Sequence, residues 1–176
     1  MSGKKHHTNA RKLTVTWEDP LLAAESSKNM AGLDYLHAIE RGDIPPPPIA
    51  RLLGFRLIRV DLGQAVFELE PGEHHYNPIG MVHGGVASTV LDSAMGCAIH
   101  STLPAGTGYS TVELKINFIR PLSTHTGKVL CEARVIHPGG RIATAGGKLV
   151  GKDGKLYAHG TTTCIIFRPE KEIKNY

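Results

Sequence analysis

The chain has 176 residues, of which 41% are hydrophobic and 20% are charged, which is enough for one well-filled core but not for two full domains. The net charge is only +4 and acidic residues interrupt the lysines and arginines, so no nucleic-acid-binding patch is predicted, although a phosphate-bearing ligand remains compatible. No segment reaches the ~18 apolar residues of a membrane span, and no signal-peptide pattern follows the basic start. We therefore expect a cytoplasmic protein with neither membrane nor nucleic-acid partners.

The first 48 residues are predicted to form an N-terminal arm, a helical segment and a connector. Residues 1–19 are polar and without pattern, as in a loose arm. Residues 20–41 have the apolar spacing of one or two helices, with Gly42 as the stop. The proline run 45–48 is predicted to be an extended connector, because proline fixes φ and restricts the preceding residue. A recognition motif for a partner that binds proline-rich segments is the alternative.

Strand patterns dominate the rest of the chain. Residues 55–61 and 64–70 flank Leu62-Gly63, which predicts a hairpin with one solvated face. Four later segments have strand patterns, and turn sequences join the last three of them. These segments are residues 111–118, 127–137, 141–151 and 155–167, with turns at His137-Pro-Gly-Gly140 and Asp153-Gly154. In the first of them, strict alternation assigns Val112, Leu114, Ile116 and Phe118 to one face and Thr111, Glu113, Lys115 and Asn117 to the other.

One long helical pattern, from about Gly84 to Ser101, stands between these strand segments. Apolar residues occupy more than half of its circumference, so the helix is predicted to be largely buried. Short connections between successive strands favour an antiparallel sheet that curls round this helix, which is an α+β fold. The remaining strip of the helix is small and polar and consists of Thr89, Asp92, Ser93 and Gly96.

The start of this helix carries the most informative chemistry of the chain. Gly84 and Gly85 have no Cβ atoms, so the first free N–H groups of the helix are uncovered. These groups, at the positive end of the helix dipole, favour a developing negative oxygen. Asp92 follows about two and a half turns later and is a candidate general base or nucleophile. The alternative for Asp92 is an ordinary solvated helix residue.

Cysteine and histidine chemistry is not favoured. Cys97, Cys131 and Cys164 lie far apart in apolar stretches, which predicts reduced core thiols. The ten histidines include the adjacent pairs 6–7 and 74–75, whose side chains diverge on a helix or a strand. We therefore predict no metal site.

The pattern Asn77-Pro-x-Gly80-x-x-His83-Gly84-Gly85, with Asp92 nine residues after the histidine, resembles the hotdog-fold acyl-CoA thioesterases of the phenylacetate-degradation (PaaI-like) type. The resemblance extends over about residues 45–167. It implies a hotdog domain over residues 49–169, followed by a C-terminal tail, 170–176. It also implies that two subunits join edge to edge into one sheet, and that the assembly is this dimer or a homotetramer formed by two such dimers. Further matches are Leu53-Gly54-Phe55, Gly108-Tyr109-Ser110-Thr111, Asn117-Phe-Ile-Arg120-Pro121 and His137-x-x-Gly140-Arg141.

The resemblance also implies roles for individual residues. Asp92 would be the general base or nucleophile, and the Gly84 N–H would polarise the thioester carbonyl. Asn77 and His83 match positions that orient the substrate or water, although both are also ordinary turn residues. Thr111 matches a hydroxyl position that can reach the carboxylate of a partner subunit, which would place the active site at a subunit interface. From its sequence alone, Thr111 is an ordinary strand residue.

The implied reaction is hydrolysis of an aryl or medium-chain acyl-CoA to the acid and free CoA, with no cofactor beyond the CoA of the substrate. Whether water or Asp92 attacks the carbonyl is left open. The alternatives are a hotdog enoyl-CoA hydratase or dehydratase that uses His83, and a non-catalytic acyl-CoA-binding protein. For substrate binding we single out Gly85 and four basic residues at or near strand ends, which could instead form a solvated rim. These are Arg120, Arg141, Lys148 and Lys152.

Overall fold

The computed structural model describes residues 9–167. The predicted tail 170–176, the end of the predicted domain at 168–169 and the first eight residues of the arm lie outside the described residues. The elements are α1 (Pro20–Lys28), α2 (Gly32–Arg41), α3 (Pro48–Leu53), β1 (Phe55–Asp61), β2 (Gln64–Leu69), α4 (Gly84–His100), β3 (Gly108–Phe118), β4 (Val129–His137), β5 (Ile142–Gly151) and β6 (Leu156–Phe167).

The six strands form one antiparallel sheet in the order β1-β2-β4-β5-β6-β3. The helix α4 packs against all six strands, so the predicted sheet wrapped round a central helix is confirmed. The two edge strands are β1 and β3. Within the described residues, no helix is long and apolar enough to cross a membrane.

The core lies between α4 and the concave face of the sheet. Leu91, Met95 and Ile99 of α4 are fully buried, and complete burial of such side chains stabilises a fold by about 1.5–3 kcal/mol each. A Cβ atom at Gly147 of β5 would lie only 3.0 Å from Met95. The glycine therefore lets the sheet approach the helix closely, which fixes the position of α4.

The predicted proline connector is one residue too long. Residues 45–47 precede a helix, and Pro47 is extended at φ −64° and ψ 150°. Pro48, however, is the first residue of α3, a position where a helix needs no N–H and the fixed φ of proline is suitable. Gly54 ends α3 in the left-handed region at φ +66°. The proline at the start and the glycine at the end are the sequence signals that could have predicted this short helix.

The predicted alternation along β3 is wrong at one residue. Thr111 pairs with Cys164 and Glu113 pairs with Thr163, so Val112 has no partner and forms a β-bulge. A bulge shifts the side-chain alternation by one position. Thr111 therefore faces α4, on the same side of the strand as Leu114, whereas alternation had assigned it to the opposite face.

Candidate active site

The carboxylate of α4 and the hydroxyl of β3 are in direct contact. The Thr111 Oγ1 donates a hydrogen bond of 2.9 Å to Asp92 Oδ1. Both side chains are partly buried. The bulge at Val112 makes this contact possible, because it turns Thr111 towards the helix. The bond joins residues of one chain, so Thr111 does not depend on a partner subunit to reach a carboxylate.

Asp92 and Thr111 line a cavity of about 390 Å³. Its walls are mostly apolar, as in sites that bind small molecules. The cavity extends along α4 past Gly96 and Cys97 to His100. A Cβ atom at Gly96 would lie 3.0 Å from the Tyr109 ring, so the glycine leaves room for that ring over the helix.

The start of α4 has one of the two free backbone donors that its glycines predicted. His83 is the N-cap, and its Nδ1 accepts a 2.9 Å hydrogen bond from the Gly85 N–H. The imidazole therefore caps the helix, as the turn-residue alternative predicted. This cap occupies one of its two ring nitrogens, Nδ1. Within residues 9–167 the Gly84 N–H has no hydrogen-bond partner. It is the free donor at this end of the helix.

Asn77 shapes the loop in front of α4. Its Oδ1 accepts hydrogen bonds from the N–H groups of Ile79 and Met81, at 3.1 and 3.2 Å. Gly80 stands between them at φ +81°, a conformation that glycine adopts without strain. Asn77, Gly84 and Arg120 line one surface depression together with apolar residues. The structure thus brings these three predicted residues together.

The two groups of predicted residues do not meet within one chain. Gly84 and Asp92 are eight residues apart on α4, which separates their backbones by about 12 Å. They line different cavities. The expectation that one helix start provides both the base and the oxyanion donor to the same carbonyl is therefore wrong for a single chain, because near-attack contacts span only about 3 Å.

The four basic residues suggested for substrate binding also lie apart. Arg120 is near the Gly84 depression and donates a 2.7 Å hydrogen bond to the Leu156 carbonyl. Lys148 forms a 3.1 Å ion pair with Glu132 of the neighbouring strand. Arg141 and Lys152 are exposed and stand at opposite ends of β5, about 36 Å apart at 3.3 Å per residue. They cannot contact one phosphate of the same CoA within one chain.

The three cysteines lie where burial keeps their thiols protonated. Burial, with the nearby charge of Asp92, raises the pKa of Cys97 to about 12, and burial also raises the pKa values of Cys131 and Cys164. A thiol held protonated is a poor nucleophile. Among residues 9–167, no group of three or more His, Cys, Asp or Glu side chains is placed to hold a metal ion.

Sequence reasoning missed three aromatic residues at the far end of the cavity. The His100 ring lies between those of Tyr35 and Tyr109, with centroid distances of 5.5 and 5.4 Å. Helical spacing could have placed only His100 at the site, because it follows Asp92 by eight residues and so lies on the same face of α4. Tyr35 and Tyr109 come from α2 and β3, and only tertiary packing joins them.

Comparison with known proteins agrees with this architecture. Residues 79–158 match the family model described as the thioesterase superfamily. The human protein named acyl-coenzyme A thioesterase 13 is 31% identical over 115 residues, which cover 64% of this chain and 81% of the human protein.

Solved structures give the same result. A phenylacetic acid degradation-related protein from Ralstonia eutropha JMP134 has a TM-score of 0.67 and 32% identity, covering 74% of this chain and 98% of that one. The E. coli PaaI protein has a TM-score of 0.67 at 22% identity, covering 78% and 94% of the two chains, which supports the fold. The chain belongs to the thioesterase superfamily and is a thioester hydrolase with a hotdog fold.

Proposed function

We propose that this protein hydrolyses acyl-CoA thioesters, with Asp92 as the catalytic carboxylate. The observation that carries this proposal is the 2.9 Å hydrogen bond from Thr111 to Asp92 at the wall of a mostly apolar cavity. A carboxylate whose orientation is fixed by a hydroxyl, beside space for an apolar group, is suited to attack at an acyl carbon. The human relative's name, acyl-coenzyme A thioesterase, supports CoA as the thiol.

The reaction needs one base and one oxyanion donor. Either Asp92 removes a proton from water as the water oxygen attacks the carbonyl carbon, or the carboxylate attacks directly and water then hydrolyses the anhydride. In both routes the carbonyl oxygen becomes negative, a backbone N–H stabilises it, and the carbon–sulfur bond breaks. The CoA thiolate leaves and takes up a proton, and the carboxylic acid is released.

We propose that the oxyanion donor is Gly84 of a second copy of the chain. Its N–H is free but lies about 12 Å along α4 from Asp92 of the same copy. Two copies related by a two-fold axis would bring Gly84 of each towards Asp92 of the other. The edge strand β3 supports such pairing, because it leaves Val112 and Phe118 more than half exposed and edge strands readily pair with another chain.

The rivals are an enoyl-CoA hydratase or dehydratase and a non-catalytic acyl-CoA binder. The hydratase reading is weakened because His83, its candidate proton shuttle, caps α4 through Nδ1. A panel of acyl-CoA esters assayed for thiol release, together with an enoyl-CoA followed by absorbance, separates all three functions. Thioester hydrolysis predicts thiol release from at least one ester, hydration predicts a loss of enoyl absorbance without thiol release, and a non-catalytic binder predicts neither signal.

The Asp92→Asn variant is the critical test of the catalytic assignment. We expect kcat to fall about 1,000-fold, because general acid–base catalysis contributes about 10²–10⁴-fold. Asp34→Asn, an exposed aspartate on α2, is the matched control and should retain the wild-type rate. Thiol release from no ester by the wild type, or full activity in Asp92→Asn, would contradict the proposal.

A further inference from the structure

One face of α4 is the floor of the acyl cavity. Asp92, Gly96 and His100 are spaced by four residues and therefore lie along one side of the helix. All three line the cavity. An acyl group bound with its carbonyl beside Asp92 can run along this face for about 12 Å before it reaches His100.

The N-terminal extension, residues 18–47, covers this face. Its helix α1 contributes Pro20, Ala23 and Ala24 to the lining of the cavity, and its helix α2 contributes Tyr35 and Ile39. The proline connector completes the cover. The thioesterase family model matches residues 79–158, so residues 18–47 lie outside the matched region.

The helix α2 is a fixed part of the wall. The Gly32 N–H donates a 2.9 Å hydrogen bond to the Leu103 carbonyl. A Cβ atom at Gly32 would collide with the His100 carbonyl oxygen, so the two helix ends approach as closely as backbones allow. Leu36 is 2% exposed. Tyr35 is thereby held against the His100 ring at the far end of the cavity.

The helix α1 is held more weakly. None of its residues is buried, and the exposed Glu18–Arg51 ion pair at 3.2 Å ties the chain before it to α3. Such pairs contribute roughly 0–1 kcal/mol. Substitutions on the cavity side of α1 should therefore alter the cavity without threatening the core.

The charges of the lining restrict the acyl group. Glu18, Asp19 and Asp92 line the cavity, and none of its lining residues within 9–167 is a lysine or an arginine. At the far end, burial lowers the pKa of His100 and raises that of Tyr109, so both rings are neutral near pH 7. A second carboxylate on the acyl group would meet these acidic side chains, of which Glu18 is already paired with Arg51, and no described lining residue offers it a cation of its own.

We infer that the N-terminal extension is the specificity element of this hydrolase, in which Tyr35 ends the acyl cavity and limits the substrate to uncharged acyl groups of about 12 Å or less. This inference rests on the proposed function. It assigns acyl-length selection to α1 and α2, and it leaves the chemistry of Asp92 unchanged.

Two variants with opposite expected effects test the inference, with kcat/KM measured over a series of straight-chain acyl-CoA esters. Tyr35→Ala opens the end of the cavity and should raise kcat/KM roughly 10-fold or more for chains that the wild type rejects, because each methylene in an apolar pocket changes discrimination about 10-fold or more. Tyr35→Phe keeps the ring and should leave the length profile unchanged.

Ala23→Phe narrows the cavity and should move the preference to shorter chains. Leu22→Phe places the same ring at a position on α1 that is 69% exposed and does not line the cavity, so its profile should match the wild type. An ω-carboxylated ester should be hydrolysed at least about 10-fold more slowly than the uncharged ester of equal length. If Tyr35→Ala fails to fold, the length profile of Ala23→Phe still tests whether the extension limits acyl length.

Length profiles that coincide for wild type, Tyr35→Ala and Ala23→Phe would overturn the inference, while hydrolysis by the wild type would leave the proposed function intact. If the wild type hydrolyses no ester, the proposed function fails instead. The same ester series can then be titrated calorimetrically. If the extension limits acyl length, Tyr35→Ala should still bind the long esters more tightly than the wild type does.

Discussion

The two halves of the candidate site are built in opposite ways. The carboxylate half is made of side chains: Asp92 and Thr111 are joined by a hydrogen bond, partly buried, and complete within one chain. The amide half is made of backbone: the free Gly84 N–H lies behind a loop that Asn77 holds, beside the exposed Phe118. Gly84 is itself half-buried and lines a surface depression, where an amide that water can reach is a weak oxyanion donor until the water is displaced. The amide half therefore needs a second surface, and the carboxylate half does not.

The strongest test of the amide half is Gly84→Pro. Proline is tolerated at the first helical position and removes only the N–H there, and His83 at φ −61° and ψ 135° has the backbone that precedes proline. We expect kcat to fall about 100-fold or more, the usual cost of losing one oxyanion donor. Steady-state hydrolysis of an acyl-CoA ester measures this fall.

Gly84→Ala is the control for crowding. Its Cβ would lie 3.1 Å from the tip of the Phe118 ring, as in the proline variant, but the N–H is retained. Phe118 is 56% exposed and has room to move. Equal losses in the two variants would show that crowding, and not the missing N–H, lowers the rate.

Removal of the hydroxyl from the carboxylate half should have a smaller effect. Thr111→Val keeps the shape of the side chain, and we expect kcat to fall about 10-fold, because a hydrogen bond to a charged group is worth about 1.5–3 kcal/mol and part of it is recovered by water. KM should change little, since Thr111 acts through Asp92. Thr111→Ser, which retains the donor, should stay near the wild-type rate; a serine variant as slow as the valine variant would contradict this role.

The smallest expected effect concerns stability at mildly acidic pH. Each half is backed by a histidine whose pKa is lowered by burial: His75, whose carbonyl accepts the His83 N–H, and His100 at the end of the cavity. The unfolded chain then binds more protons than the folded one below pH ~6.5. The contribution of these two neutral rings to the free energy of unfolding is present above pH ~6.5. It is lost as the pH falls towards their lowered pKa values.

Thermal unfolding from pH 8 to pH 5 measures this contribution. His75 is 4% exposed and its Nδ1 accepts the Gly72 N–H, so His75→Asn offers a carbonyl oxygen in place of the ring nitrogen without a titrating group. The melting temperature of this variant should fall less steeply with acid than that of the wild type. Identical pH profiles would show that His75 does not contribute.

The sequence predicted the sheet, the central helix and the candidate residues of both halves, because each depends on local pattern or on a motif. It failed where long-range packing decides. Strict alternation assigned Thr111 to the wrong face, since no residue in the segment indicates a bulge at Val112. The contact between Tyr35 and His100 joins residues far apart in the chain, so periodicity carries no information about the covered cavity.

The division of the site between two copies is the central claim, and complementation tests it most directly. Asp92→Asn and Gly84→Pro chains, each nearly inactive alone, are co-expressed so that they assemble at random. If each site combines Asp92 of one copy with Gly84 of the other, half of the random dimers contain both variants, and one of the two sites in each of these has both residues intact. About a quarter of all sites, and so about a quarter of the wild-type rate, should then be recovered. A mixed assembly that stays as inactive as its two parents would contradict the claim.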